Sequence, residues 1–169
     1  ISSSGTSNFE TISITNSSGI NISDAGHTLN ASGVVTNEGN LVVVGIFNST
    51  NSIIFSGSVS EQTISGTGTS NFQDVSISNT NGININDANH TMNCAGTVTS
   101  SGNLQNIGIF NSTGTTIFNG ISPQTISGSG TFNFEDLNLN NSNNLSLSSG
   151  ATITINDELT SSSGSFINE

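Results

Sequence analysis

Short runs of alternating apolar residues recur along the whole chain. Near the start, apolar side chains stand at Ile12 and Ile14, and again at Ile20 and Ile22, with a polar residue inside each pair. Alternation of this kind, interrupted by Gly, Asn and Ser, is typical of short half-buried β-strands. No stretch places its apolar residues at a helical period. The pattern therefore predicts an all-β protein with almost no helix.

The alternating runs belong to a long internal repeat. Copies align from Ile1, Ile64 and Ile126, and the third copy is partial. We divide the chain into repeats 1–61, 62–123 and 124–169, and expect them to form a single continuous segment. The only proline, Pro123, lies at the junction between the second and third repeats, where a turn does not need its N–H.

Two architectures fit many short strands: an array of β-sandwiches and a parallel β-helix. A unit of about 62 residues is short for an immunoglobulin-type sandwich, which needs roughly 100. The unit divides well into three coils of about 21 residues, each stacked on the next at about 4.8 Å. We therefore predict a parallel β-helix, or β-solenoid, with three coils per repeat, stabilised mainly by contacts between neighbouring coils.

The composition excludes several classes of partner. The 169 residues carry a formal charge of −11 and contain no Lys or Arg. Nucleic-acid binding depends on cationic side chains that neutralise phosphates, so we expect no nucleic-acid partner. The sequence contains no apolar run long enough to cross a bilayer, and we expect no membrane insertion. With one cysteine, Cys94, no disulfide can form within the chain.

Two stretches resemble repeats of very large surface proteins of Bacteroidetes. They are GSVSEQTISGTGTSNFQDVSISNTNGININ at residues 57–86 and GISPQTISGSGTFNFEDLNLNNSNNLSLSSGATITINDELTSSSG at residues 120–164. An FSG or FNG triplet ends at the first residue of each stretch, and a QTISG motif and an alternating strand pattern follow it. The resemblance implies export by the type IX secretion route, a place on the cell surface, and a role in adhesion, filaments or coats. It implies no catalytic residues.

Candidate catalytic groups are few, and a structural role is favoured for each. His27 and His90 stand at the same repeat position, each three residues after an aspartate, Asp24 or Asp87. An Asp–His pair suits base catalysis, but a duplicated pair at a scaffold period favours turn chemistry. The adjacent carboxylates at 135–136 and 157–158 could suggest glycoside cleavage, yet neighbouring strand residues point to opposite faces. We predict that the protein is not an enzyme.

We expect no cofactor, although weak Ca²⁺ binding by oxygen ligands is allowed. The sequence lacks both the EF-hand loop and the glycine-rich calcium repeat, and one Cys with two distant His gives no zinc set. The carboxylates that could bind Ca²⁺ weakly are Asp24, Asp74, Asp87 and Asp136.

Cys94 aligns with Ala31 and Ile155 at an inward strand position, so we predict a small buried thiol. The phenylalanines also recur by copy and are interpreted as core. They are Phe9, Phe72 and Phe134, then Phe47 and Phe110, then Phe55 and Phe118.

Eight N-x-S/T sequons occur, which is near the chance number for such a composition. Only those at Asn48 and Asn111 recur at equivalent repeat positions, so these two are the candidate glycan carriers.

The sequence predicts a structural or adhesive extracellular protein, a segment of a bacterial surface stalk, coat or filament. We expect self-association end to end or continuation within a longer chain, and surface glycans as further partners. The alternative is a glycan- or ice-binding β-helical module. The threonines that could supply an ice-binding array are Thr11, Thr63, Thr125 and Thr152.

Overall fold

The computed structural model of the chain describes residues 1–58 and 60–168. Every regular element in this part of the chain is a β-strand, which confirms the all-β prediction. The twenty strands wind into about eight stacked coils and form a β-solenoid. None of the described residues forms a helix long and apolar enough to cross a membrane.

Each coil contributes two or three strands. In order of coils, they are β1 Gly5–Phe9, β2 Ile12–Ile14 and β3 Ile20–Ile22; β4 His27–Ala31, β5 Val35–Asn37 and β6 Leu41–Val43; β7 Ile46–Phe55 and β8 Gln62–Ser65; β9 Thr69–Ile77 and β10 Ile83–Ile85; β11 Thr91–Cys94, β12 Val98–Ser100 and β13 Leu104–Asn106; β14 Ile109–Phe118 and β15 Gln124–Ser127; β16 Thr131–Asn140 and β17 Leu145–Leu147; β18 Thr152–Ile155, β19 Leu159–Ser163 and β20 Phe166–Asn168.

The strands form two parallel sheets that run through all the coils. The first sheet has twelve strands and follows the order β1-β4-β7-β9-β11-β14-β16-β18, with β2, β5, β12 and β19 beside this path. The second sheet has eight strands, from β3 at one end to β20 at the other. The first sheet bends within each coil: β7, β9, β14 and β16 cross the bend unbroken, whereas the remaining coils divide there into two strands.

Coil length varies in a fixed order. Asn8, Asn30, Asn48 and Asn71 hold one position in successive coils, and the steps between them are 22, 18 and 23 residues. From Asn71 the pattern repeats with steps of 22, 18 and 22 residues, ending at Asn133. The short coil has shorter turns, 38–40 and 44–45, while its strands keep their places in the sheets. Three coils per repeat are confirmed, but the coils are unequal.

The inward side chains stack as ladders along the axis. One ladder combines small and aromatic residues, and Phe72 packs edge-on against Phe47 of the coil before, with 5.4 Å between ring centroids. The recurring phenylalanines are buried as predicted, except Phe9, which is 46% exposed. Phe9 lies in the first coil, where the described chain provides no preceding coil to cover it. The core therefore depends on stacking, as expected for a solenoid.

A buried glutamine stabilises the corner at which each full repeat ends and the next begins. The Gln62 Oε1 accepts the Gly57 N–H at 2.8 Å, while its Nε2 donates to the carbonyls of Asn37 and Gly39 in the coil before. A Cβ on Gly57 would stand 2.7 Å from a backbone oxygen and 2.9 Å from the Gln62 side chain, so only glycine fits. Gln124 and Gly120 repeat the arrangement. The FSG and QTISG motifs are thus two halves of one corner.

Candidate functional site

The most regular surface of the molecule is the outward side of the first-sheet strands. Each coil places one Thr or Ile there, and Ile46 and Ile109 are 39% and 38% exposed. These positions pair directly from coil to coil and are called the threonine column: Thr6, Thr28, Ile46, Thr69, Thr91, Ile109, Thr131 and Thr152.

Two residues further along each strand stands a column of asparagines, called the asparagine ladder. Its members are Asn8, Asn30, Asn48, Asn71, Asn93, Asn111 and Asn133. Each Nδ2 from Asn30 onward donates to the Oδ1 of the asparagine one coil earlier, at 2.8–2.9 Å. In the last coil Thr154 takes the same place. Seven side-chain amides thus form one unbroken chain of hydrogen bonds along the axis.

The asparagine ladder forms the floor of a groove. Because the first sheet bends just after the ladder, its outer surface is concave there, and the groove follows the axis from Asn8 to Asn156 with a volume of about 1140 Å³. The far wall carries mostly small or neutral residues, including Ser32, Gln73 and Ala95. Among the described residues that line the groove, only Glu10, near one end, carries an ionisable carboxylate.

The ladder leaves hydrogen-bonding capacity free in the groove. An Asn amide has two N–H donors and an oxygen with two lone pairs, and the ladder uses one N–H and one lone pair of each inner member. The inner asparagines are half-buried, so the remaining N–H and lone pair face the groove or its water. The floor is therefore a row of neutral donors and acceptors, one set per coil, at about 4.8 Å spacing.

The two histidines are buried parts of the scaffold. His90 Nδ1 lies 2.8 Å from the Gly66 carbonyl, which fixes the proton on that nitrogen, and its Nε2 lies 3.2 Å from the Ser70 hydroxyl. Burial lowers the pKa of His90. His27 makes the corresponding contact with the Ser3 carbonyl at 2.7 Å. Both imidazoles tie one coil to the coil before it.

The aspartates that precede the histidines act in turns. The Asp24 carboxylate accepts the Gly26 N–H at 2.8 Å, and the Asp87 carboxylate accepts the Asn89 N–H at 2.9 Å. These bonds match the turn chemistry expected for Asp in such positions.

The two adjacent carboxylate pairs and Asp74 lie at the bend of the first sheet. Glu135 and Asp136 are both half-buried, and Asp157 and Glu158 are both exposed. The expected alternation between opposite faces is therefore wrong at these pairs, because the bend brings both neighbours outward. Asp136 accepts the Thr115 hydroxyl, and the carboxylate at position 74 accepts the N–H of residue 97. Among the described residues, no three His, Cys, Asp or Glu side chains gather as a metal site.

Cys94 occupies the inward position that its alignment predicts. It pairs with Phe72 and Ser112 in a ladder that also contains Ala31 and Ile155, and it is 1% exposed. Burial raises the pKa of its thiol far above the ordinary value. The thiol is thus part of the core, as predicted.

Both glycosylation candidates are members of the asparagine ladder. The Nδ2 of Asn48 donates to Asn30 and the Nδ2 of Asn111 donates to Asn93. A glycan attaches through this same nitrogen, so modification of the folded chain competes with the ladder. Glycosylation at these residues stays a prediction.

The threonines expected to supply an ice-binding array lie on different faces. Thr63 and Thr125 belong to the second sheet, Thr152 to the first, and Thr11 to the bend. Only Thr152 belongs to the threonine column. The residues that do share one face follow a [Thr or Ile]-x-Asn pattern, once in each coil but the last. This signal is visible in the sequence, but the unequal coil lengths conceal it from a search at one fixed period.

Comparison with protein-family models, with curated protein sequences and with solved structures gives no significant match for this chain.

Proposed function

We propose that this chain is a structural and adhesive segment of an extracellular protein, one that projects from, joins or coats a bacterial surface. The observation that supports this proposal most strongly is the uninterrupted stacking. Two parallel sheets, the asparagine ladder and the inward ladders all follow one axis through the coils. At about 4.8 Å per coil, eight coils make a rod roughly 40 Å long.

Four polar side chains of the interior link neighbouring coils. His27 and His90 bind backbone carbonyls one coil away, and Gln62 and Gln124 fasten corners. Each of these side chains links a coil to its neighbour, which suits a segment that transmits tension along its length.

The surface composition supports a place outside the cell. It is rich in Ser, Thr and Asn, has no Lys or Arg, and resembles repeats of Bacteroidetes surface proteins exported by the type IX route. A rod of this kind extends either by continuing within a longer chain or by stacking end to end with another copy. The edges of β1 and β18 face along the axis and offer unpaired backbone groups for either mode.

Protease treatment of intact cells tests the location. Trypsin cleaves after Lys or Arg, so it leaves these 169 residues intact while it cuts other surface proteins. We expect trypsin to release an antibody-reactive fragment that contains the whole segment, and a protease of broad specificity to remove the epitope. A fragment that appears only after the cells are lysed would contradict an extracellular place.

Ice binding is a second candidate function, favoured by the threonine column. Six of its eight members are threonines, and Asn stands two residues along from every member except Thr152. Regularly spaced methyl and hydroxyl groups can order water in a lattice. Replacing Thr69 and Thr91 by Tyr should then abolish inhibition of ice recrystallisation, while Thr99→Tyr, on the other side of the bend, should not.

A further inference from the structure

We propose that the groove whose floor is the asparagine ladder is a binding site for a single extended chain of a neutral polysaccharide, lying parallel to the solenoid axis. The inference rests on the adhesive part of the proposed function and gives it a ligand class. The groove would bind such a chain whether or not the protein forms a stalk.

The size and shape of the groove fit an elongated ligand. Its volume of about 1140 Å³ exceeds the roughly 300–1,000 Å³ of pockets that hold one drug-sized molecule. It spans the coils from Asn8 to Asn156, about 34 Å at 4.8 Å per coil. A compact ligand would fill only part of this length, whereas a linear polymer would fill all of it.

The period of the floor fits a sugar chain. Each coil but the last offers one amide with a free N–H and a free lone pair, and the ladder holds these amides in line. In an extended, β-linked polysaccharide each ring advances by roughly one strand spacing along the chain. Successive rings therefore meet successive asparagines, and their hydroxyls both donate to and accept from the same amide.

The negative charge of the protein determines which kinds of polymer the groove can bind. The sequence has no Lys or Arg to line the groove, the chain as a whole carries −11, and Glu10 adds a negative charge at one end. A uronic-acid polymer or a nucleic acid would be repelled without compensation. A peptide strand would find no free backbone edge along the groove, because the inner first-sheet strands already pair on both sides. A neutral glycan satisfies the amides without any charge cost.

Affinity should come from many weak contacts. The chain has no Trp or Tyr, and Phe72 beneath the groove is buried in the core. Phe9 exposes its ring only at one end, so the sugar rings along the rest of the floor meet amides rather than an aromatic platform. Hydrogen bonds of modest individual strength then add along the ligand. We expect affinity to rise with oligosaccharide length and to level off at about seven rings, one for each asparagine of the ladder.

Native gel electrophoresis in gels that contain polysaccharide tests the site. The protein migrates because of its negative charge, and a neutral polymer that binds it retards it. We expect retardation by at least one linear neutral glucan, mannan or xylan, and none by polygalacturonate. Calorimetry with an oligosaccharide series of the retarding polymer then measures the dependence on length.

Two variants and a control locate the binding. Ala95→Trp fills the groove from its far wall without changing the ladder, and should weaken binding by about tenfold or more, equivalent to about 1.4 kcal/mol. The double variant Asn71→Val and Asn93→Val removes two floor amides and should have a similar effect. Gln105→Leu removes an amide from the outer side of the second sheet and should bind as the unchanged protein does.

Three outcomes would overturn the proposal. They are no retardation by any linear neutral polymer, equal retardation by the acidic polymer, and unchanged binding by Ala95→Trp. If the first outcome is found and Ala95→Trp also loses self-association, the groove is assigned to a second copy instead. None of these results bears on the trypsin release experiment, so failure of the groove and failure of the extracellular role are distinguishable.

Discussion

The Nδ2 of Asn71 lies 2.9 Å from the Oδ1 of Asn48, although 23 residues separate them in sequence. The next bond in the same ladder joins Asn93 to Asn71 across 22 residues, and the one after it joins Asn111 to Asn93 across 18. The ladder therefore stays in line while coil length changes. Such a ladder also fixes the register, because a slip by one residue would move every amide to the inner face.

The inner asparagines should contribute more stability than the outermost one. Asn71→Ala removes a donor and an acceptor bond, each worth about 0.5–1.5 kcal/mol, whereas Asn8→Ala removes only an acceptor at an exposed position. We expect Asn71→Ala to lower the free energy of unfolding by about 1–3 kcal/mol, and by more than Asn8→Ala. Urea denaturation measures both. Equal losses would mean that the ladder bonds carry no net stability.

The corner glutamine should be among the most sensitive polar residues. Gln62→Leu leaves the Gly57 N–H and the carbonyls of Asn37 and Gly39 buried without this partner. The two carbonyls keep other donors, the Ser56 N–H and the Asn37 Nδ2, so the Gly57 N–H is the group left unsatisfied. An unsatisfied buried group costs about 1–3 kcal/mol, and we expect a loss of that size in the free energy of unfolding. Gln105→Leu, on the outer surface, is the matched control and should cost less than about 0.5 kcal/mol. Similar losses for the two variants would refute the corner role.

Protonation of His90 should make stability depend on pH. Burial lowers the pKa of His90 in the folded state, while the unfolded chain titrates near the ordinary value of about 6.5. The contribution of neutral His90 to the free energy of unfolding is therefore complete above about pH 6.5. It falls as the pH drops below about 6.5, because the unfolded chain then binds a proton that the folded chain does not. We expect a loss of up to about 1.4 kcal/mol between pH 7.5 and pH 5.5.

The control for this prediction is His90→Gln, compared over the same pH range. The remaining histidine, His27, is present in both proteins, so the difference between their pH profiles isolates His90. Parallel profiles would show that His90 does not titrate differently in the two states.

The open edges of the end coils should make the chain associate end to end. Repulsion between rods of charge −11 opposes contact, and salt shortens its range from about 30 Å at 0.01 M to about 3 Å at 1 M. We expect the scattering mass to increase with salt. Ile155→Lys, which places a charge at an inward position of the last coil, should prevent the increase, while Thr160→Lys should not. A constant monomer mass at high salt and high protein concentration would argue against end stacking.

Much of the fold can be predicted from the sequence, because it depends on patterns of neighbouring residues and on the internal repeat. Alternation of apolar residues predicts strands, the internal repeat predicts three coils per copy, and the inward position of Cys94 predicts its burial. The asparagine ladder escapes prediction because its steps of 22, 18 and 23 residues do not share one period. The role of Gln62 escapes prediction because a glutamine is usually exposed, and its burial depends on a carbonyl 25 residues away. Both are consequences of tertiary stacking.

Electron microscopy of the native material is the most direct test of the structural role, with gold-labelled antibody against this segment on intact cells. The account predicts label on thin projections or a continuous coat outside the cell envelope. It also predicts that the labelled projections, once isolated, show a repeat of about 4.8 Å along their length. Label confined to the cell interior, or isolated particles with no axial repeat, would contradict a structural surface segment.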